Sequence, residues 1–166
     1  MPLVPFDSLP DDARVWVFAS DRPVTGAQAE RLLAEVDGFL SRWSAHGAPL
    51  TCARDWREDH FLVIGVDQRS AGASGCSIDG LFRQLKGLES VLGASLVRGG
   101  RILYRDSSGG VRSVSRDEFG DLGARGDVSR DTLVFDPTLT TKGDLDTKFE
   151  GAASDGWQGE LLKSDS

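Results

Sequence analysis

Two cysteines and two histidines in 166 residues leave little from which to build a metal centre. Cys52, Cys76, His46 and His60 do not stand at zinc-finger spacing. No metal and no cofactor is therefore expected, and two thiols without a disulfide framework fit a reducing compartment. The chain has no apolar run near the ~20 residues that cross a bilayer. Its opening string, Met1-Pro2-Leu3-Val4-Pro5-Phe6-Asp7, has neither the basic nor the apolar region of a signal peptide. A cytoplasmic protein with no membrane partner is the expectation. The string Gly-x-x-x-x-Gly-Lys-Ser/Thr is missing, and Gly72-Ala73-Ser74-Gly75 does not make a dinucleotide fingerprint. Direct nucleotide hydrolysis is thus unsupported. Basic residues are in the minority, with 19 Lys and Arg against 26 Asp and Glu and a net charge of −7. Such a chain is a poor non-specific ligand for nucleic acid.

What is present is ordinary globular material, 39% hydrophobic and 27% charged. A chain of this length buries roughly 70% of its unfolded surface and needs no staples. The charge is uneven. Residues 1–105 carry net −1 and residues 106–166 carry net −6, much of it on Gly/Ser/Asp-rich stretches. This divides the chain into one α+β domain, residues 1–135, and an acidic C-terminal extension, residues 136–166, docked by Trp157.

Hydrophobic period assigns the elements. Residues 14–19 and 50–56 read as strands, and residues 61–66 as a central strand buried on both faces. Thr25 opens a helix whose apolar stripe is Leu32, Leu33, Val36, Phe39, Leu40 and Trp43, with His46-Gly47 at its end. A second helix starts near Cys76-Ser77, carries Ile78, Leu81, Phe82, Leu85, Leu88, Val91 and Leu92 on one face, and stops at Gly93. Residues 101–105 and 111–114 form a hairpin, a short helix follows from Ser115, and residues 132–135 make a last strand. Two helices separated by a hairpin, with a strand on either side, predict a split βαβ (ferredoxin-like) sandwich. Both helices would cover one face of a mostly antiparallel sheet.

The string Ala73-Ser74-Gly75-Cys76-Ser77-Ile78-Asp79-Gly80 joins the most apolar strand to the second helix. A helix start offers free N–H groups and a positive dipole end, which lowers a cysteine's pKa. On this reading Cys76 is a nucleophile, His46 its base and Asp79 the group that orients it. His60 is a second candidate base. Gly75, Ser77 and the backbone N–H groups would hold an anion, with Arg83 as a charge clamp. Arg83 follows Cys76 by seven positions, whereas cysteine-phosphatase loops use six. The plainer reading makes Ser74 or Ser77 the helix cap, Cys76 a small buried hydrophobe and the glycines packing devices. His46 is then a helix-end residue, and His60 an exposed turn histidine beside Glu58-Asp59. Trp157 either docks the tail or closes over a site or partner. The function that follows is small-molecule binding or Cys-dependent acyl or thiol transfer at the start of the second helix. A non-catalytic interaction or adaptor protein is the alternative.

The strings Phe6-Asp7-Ser8-Leu9-Pro10-Asp11, Ala13-Arg14-Val15-Trp16-Val17, Trp43-Ser44-Ala45-His46-Gly47, Ala73 to Asp79 and Val134-Phe135-Asp136 resemble a family of small bacterial proteins common in the Bacteroidetes. The resemblance runs over most of the chain. Where that family usually ends on Ser-Trp-His, this chain has Gly156-Trp157-Gln158. Family members often carry the label ABC transporter ATPase, which requires the Walker loop missing here. The resemblance implies a cytoplasmic housekeeping-type protein and points first to the segments around His46 and Cys76.

Overall fold

Residues 14–20 set the plan of the molecule. Alternate side chains of a strand leave on opposite sides. Here Trp16 and Phe18 leave on one side and Val15, Val17 and Ala19 on the other, and all five are buried. A strand buried on both sides needs a packed layer against each face. The computed structural model of the chain, which describes residues 4–45, 48–49, 51–69, 78–97 and 101–162, contains both layers.

In chain order the elements are β1 (Arg14–Ser20), α1 (Gly26–Arg42), β2 (Ser44–Ala45), β3 (Ala48–Pro49), β4 (Cys52–Arg57), β5 (Phe61–Val66), α2 (Asp79–Gly87), α3 (Glu89–Leu92) and β6 (Leu96–Val97). Then come β7 (Ile102–Arg105), β8 (Val111–Val114), α4 (Arg116–Ala124), β9 (Leu133–Phe135), α5 (Lys142–Lys148) and β10 (Glu150–Ala152). The first sheet has the order β4-β5-β1-β6, with every neighbouring pair antiparallel. The second has the order β10-β9-β7-β8 and is also antiparallel. The fold is therefore α+β, with two antiparallel sheets and a small β2–β3 ribbon.

Four layers result. Leu32, Val36 and Leu40 of α1 pack with Leu81 and Leu85 of α2 on Trp16, Phe18, Leu62 and Ile64 of the first sheet. The other face of that sheet, with Val15, Val17, Phe61 and Val63, meets Leu103 and Phe135 of the second sheet. Phe61, Phe135 and Phe149 pack there in tilted and edge-on pairs with ring centroids 4.8–5.3 Å apart. The outer face of the second sheet, with Ile102, Tyr104 and Val134, is covered by Phe119 of α4 and by Val128, Ala153 and Leu162.

The structure differs from the sequence expectation at several points, each with a physical reason. Helix α1 ends at Arg42, not at His46-Gly47. Trp43 is extended (φ −73°, ψ 130°), and its indole lies 5.8 Å from Trp16 and 5.5 Å from Phe39. Burying that ring outweighs another helical turn. Helix α2 starts at Asp79 after Ile78, which sinks into the core, so the cap position is not Ser74 or Ser77. The expected single helix to Gly93 breaks at Leu88 into α2 and α3, and Gly93 does end it in the left-handed region (φ 67°). The fourth strand of the first sheet is β6, while residues 101–105 belong to the second sheet. Two residues are too few to show alternation. Residues 136–162 are built into the second sheet and both adjoining cores through β10, Leu145, Phe149, Ala153 and Leu162. Trp157 remains 44% exposed.

His60 is another correction. It is 4% exposed rather than a surface turn residue. Glu58 and Asp59 both have positive φ (56° and 57°), which folds the β4–β5 turn tightly. The His60 ring then tucks in with Nδ1 2.8 Å from the Glu58 carbonyl, and the Ser20 N–H donates to the His60 carbonyl at 2.7 Å.

Candidate functional site

Side chains on one face of β1 lead toward the first turn of α2. Arg14, Trp16 and Phe18 alternate along the strand and share the face covered by helices. The Arg14 guanidinium lies 4.8 Å from the Trp16 ring. Trp16 then meets Trp43, and Trp43 meets Phe39. Phe39 reaches α2 itself, because a Cβ on Gly80 would stand 3.2 Å from its ring. Glycine at position 80 is what lets the first turn of α2 approach α1 this closely. Gln84 reinforces the contact by donating to the Glu35 carboxylate at 2.8 Å.

This row brings the end of α1 against the start of α2. His46 follows Trp43 by three positions, and Cys76 precedes Ile78 by two. Four of the expected site residues, His46, Gly75, Cys76 and Ser77, lie outside the described residues. The other two, Asp79 and Arg83, are exposed and sit four apart on α2, on one side of the helix. Asp79 also complements the dipole in the first turn.

His60 is not at this end. It stands just before Phe61, while the 67–77 segment leaves from Val66. A six-residue strand puts about 17 Å between those ends. With its ring tied to the Glu58 carbonyl, His60 serves the turn, and its candidacy as base is withdrawn.

Cys52 is fully buried, its Sγ lies 3.5 Å from the Leu40 carbonyl, and burial pushes its pKa up to about 11. It is a core residue with almost no thiolate near neutral pH. Thiolate chemistry in the folded protein would therefore fall to Cys76.

Sequence reasoning missed Arg14. Its Nε is buried and has no hydrogen-bond partner among the described residues. A buried, unpaired donor costs about 1–3 kcal/mol. The available signal was a lone charge at the start of a strand that is apolar throughout. Chemically, the row is a buried aromatic seam, with a guanidinium whose Nε has no partner among the described residues at one end and a helix start at the other. That combination suits an anionic or carbonyl-bearing ligand. Among the described residues no cluster of three or more His, Cys, Asp or Glu side chains is placed to hold a metal, and no helix is long and apolar enough to cross a membrane.

Comparison with protein-family models, with curated proteins and with solved structures finds no match for this chain.

Proposed function

We propose that this protein binds a small anionic or carbonyl-bearing molecule at the start of α2, with Cys76 acting on it in acyl or thiol transfer. In that reaction the Cys76 thiolate attacks the carbonyl and a carbon–sulfur bond forms. The leaving group departs with a proton carried by His46, and an acceptor then takes the acyl group and frees the thiol. Asp79 orients His46, Gly75 and Ser77 contribute N–H groups to the oxyanion, and Arg83 and Arg14 hold ligand charge. The observation that carries the reading is the Arg14 Nε, buried without a partner among the described residues, at the head of an aromatic row ending on α2.

The order β4-β5-β1-β6, with both helical crossovers on one face, also supports reading the first sheet as a split βαβ, ferredoxin-like unit. A free buried thiol at Cys52 is in keeping with a reducing, cytoplasmic setting.

Alkylation with iodoacetamide across pH, read by peptide mass spectrometry, tests the reading. Because Cys52 is silent, labelling of the native protein reports Cys76. Cys76 is expected to react well below pH 8, as a thiolate stabilised by a helix start does. Reaction only above about pH 8, the range of an ordinary thiol, defeats the nucleophile. An alkylation profile of that kind would favour the non-catalytic adaptor.

A further inference from the structure

We propose a second small-molecule site, independent of the first, in the cleft between the β9–β10 pair, the end of α5 and the turn at residues 153–158. Its ligand is an organic cation: a protonated amine on a compact apolar body. The cleft has a volume of about 470 Å³, within the range of metabolite sites, and shares no residue with the row from Arg14 to Gly80.

Gln158 points to a ligand. It is 5% exposed, lines the cleft, and makes no side-chain hydrogen bond among the described residues. The amide itself is not sealed in, since among the described residues only Arg14 Nε is buried without a partner, so the Gln158 amide is open to the cleft, where a ligand can take its hydrogen bonds. The local sequence keeps its place open. A Cβ at Gly156 would stand 2.5 Å from Gln158 Oε1, and one at Gly159 would stand 2.8 Å from the Ala153 carbonyl. Glycine at 159 allows the turn to close against the backbone, and glycine at 156 leaves the Gln158 amide its present place.

The lining selects charge. Of its carboxylates, Glu150 is bound by Arg105 and Asp136 accepts from the Thr138 N–H. Asp155 is exposed and has no ion pair among the described residues. The lining ammonium, Lys148, is engaged by Asp144 at 3.5 Å. Trp157 adds a partly open indole, a ring that already attracts the guanidinium of Arg116, outside the lining, at 4.8 Å. An ammonium group would donate to Asp155 and to Gln158 Oε1 while its apolar body lies on Trp157. An anion would face three carboxylates.

The test uses the full chain and titrates it with phenethylammonium, with phenethyl alcohol, phenylacetate and glucose alongside. The readout is the NMR shift of the Trp157 indole N–H and the Gln158 side-chain NH₂. Saturable shifts at both groups are expected for phenethylammonium alone, weakened about tenfold in Asp155→Asn, an exposed near-isosteric change that leaves the fold intact. Three results overturn the proposal: no saturable shift, equal binding of the alcohol or sugar, or unchanged affinity in Asp155→Asn. None of these bears on Cys76 alkylation, so the two sites succeed or fail separately.

Discussion

Arg105 uses every donor it has. Its Nε and Nη2 donate to the two oxygens of Glu150 at 2.7 and 3.1 Å. Nη1 and Nη2 donate to Glu58 at 3.3 and 3.0 Å, and Nη1 also donates to the Gly109 carbonyl at 2.7 Å. These partners come from the β4–β5 turn, the β7–β8 turn and β10, so one planar fork ties the end of one sheet to the other. The Arg105 guanidinium holds the Glu58 carboxyl below its ordinary value. A carboxylate with a depressed folded-state pKa adds stability that is present above its unfolded pKa and lost as pH falls through the folded one. The urea midpoint is therefore expected to drop below about pH 4, and Glu58→Gln should flatten that drop. Arg105→Lys keeps the charge but loses the fork. A cost of about 1 kcal/mol is expected, discounted for solvent exposure. Equal urea midpoints for wild type and Arg105→Lys at pH 7 would show that the fork contributes nothing.

Helix starts in this chain are of two kinds. Helix α4 begins with a reciprocal cap: Ser115 Oγ accepts from the Glu118 N–H at 3.1 Å, and Glu118 Oε1 accepts from the Ser115 N–H at 2.9 Å. Helix α5 opens on Thr141, whose Oγ1 accepts from the Asp144 N–H. Among the described residues α1 and α2 have no side-chain bond at the cap position, and α2 starts on a buried isoleucine instead. Tertiary burial positions α2, whereas local chemistry positions α4. Ser115→Ala should then cost about 1 kcal/mol in a urea or thermal melt, and Ser115→Asp should recover most of it. Wild-type stability in Ser115→Ala would assign the start of α4 to the packing of Phe119 alone.

At the scale of the molecule, two sheets share one core, and the chain's last third completes it. Leu145 and Phe149 fill the space between the sheets, while Ala153 and Leu162 cover the outer face with α4. A chain cut after Phe135 also loses β10, the edge neighbour of β9. It should show no cooperative thermal transition and should bind a hydrophobic dye such as ANS; a sharp transition would mean that residues 1–135 fold alone. Much of the local order was legible in the residues. The apolar runs at 14–19 and 61–66, the helical stripe from Leu32 to Leu40, the left-handed Gly93 and the Ser115 start all depend on neighbours a few positions away, and local period and capping reveal such features. The positions of Asp79 and Arg83 on α2 follow from the same logic. Other features depend on residues far apart in the chain. Leu96 and Val97 become a strand only because Ser20 and Ala19 lie opposite them. Trp43 leaves its helix because Trp16 and Phe39 receive it, and Arg105 meets Glu58 across 47 positions and Glu150 across 45. Nor does any local pattern announce that Arg14 Nε is buried without a partner among the described residues or that Gln158 is only 5% exposed. The sequence by itself determined the longer helices and the apolar strands and which of their faces are apolar, because those are properties of nearest neighbours. Only the tertiary structure decided that there are two sheets rather than one and that Cys52 is inert. It also decided that Arg14 Nε is buried without a partner among the described residues, because packing alone determines which groups lose water and what they meet in exchange.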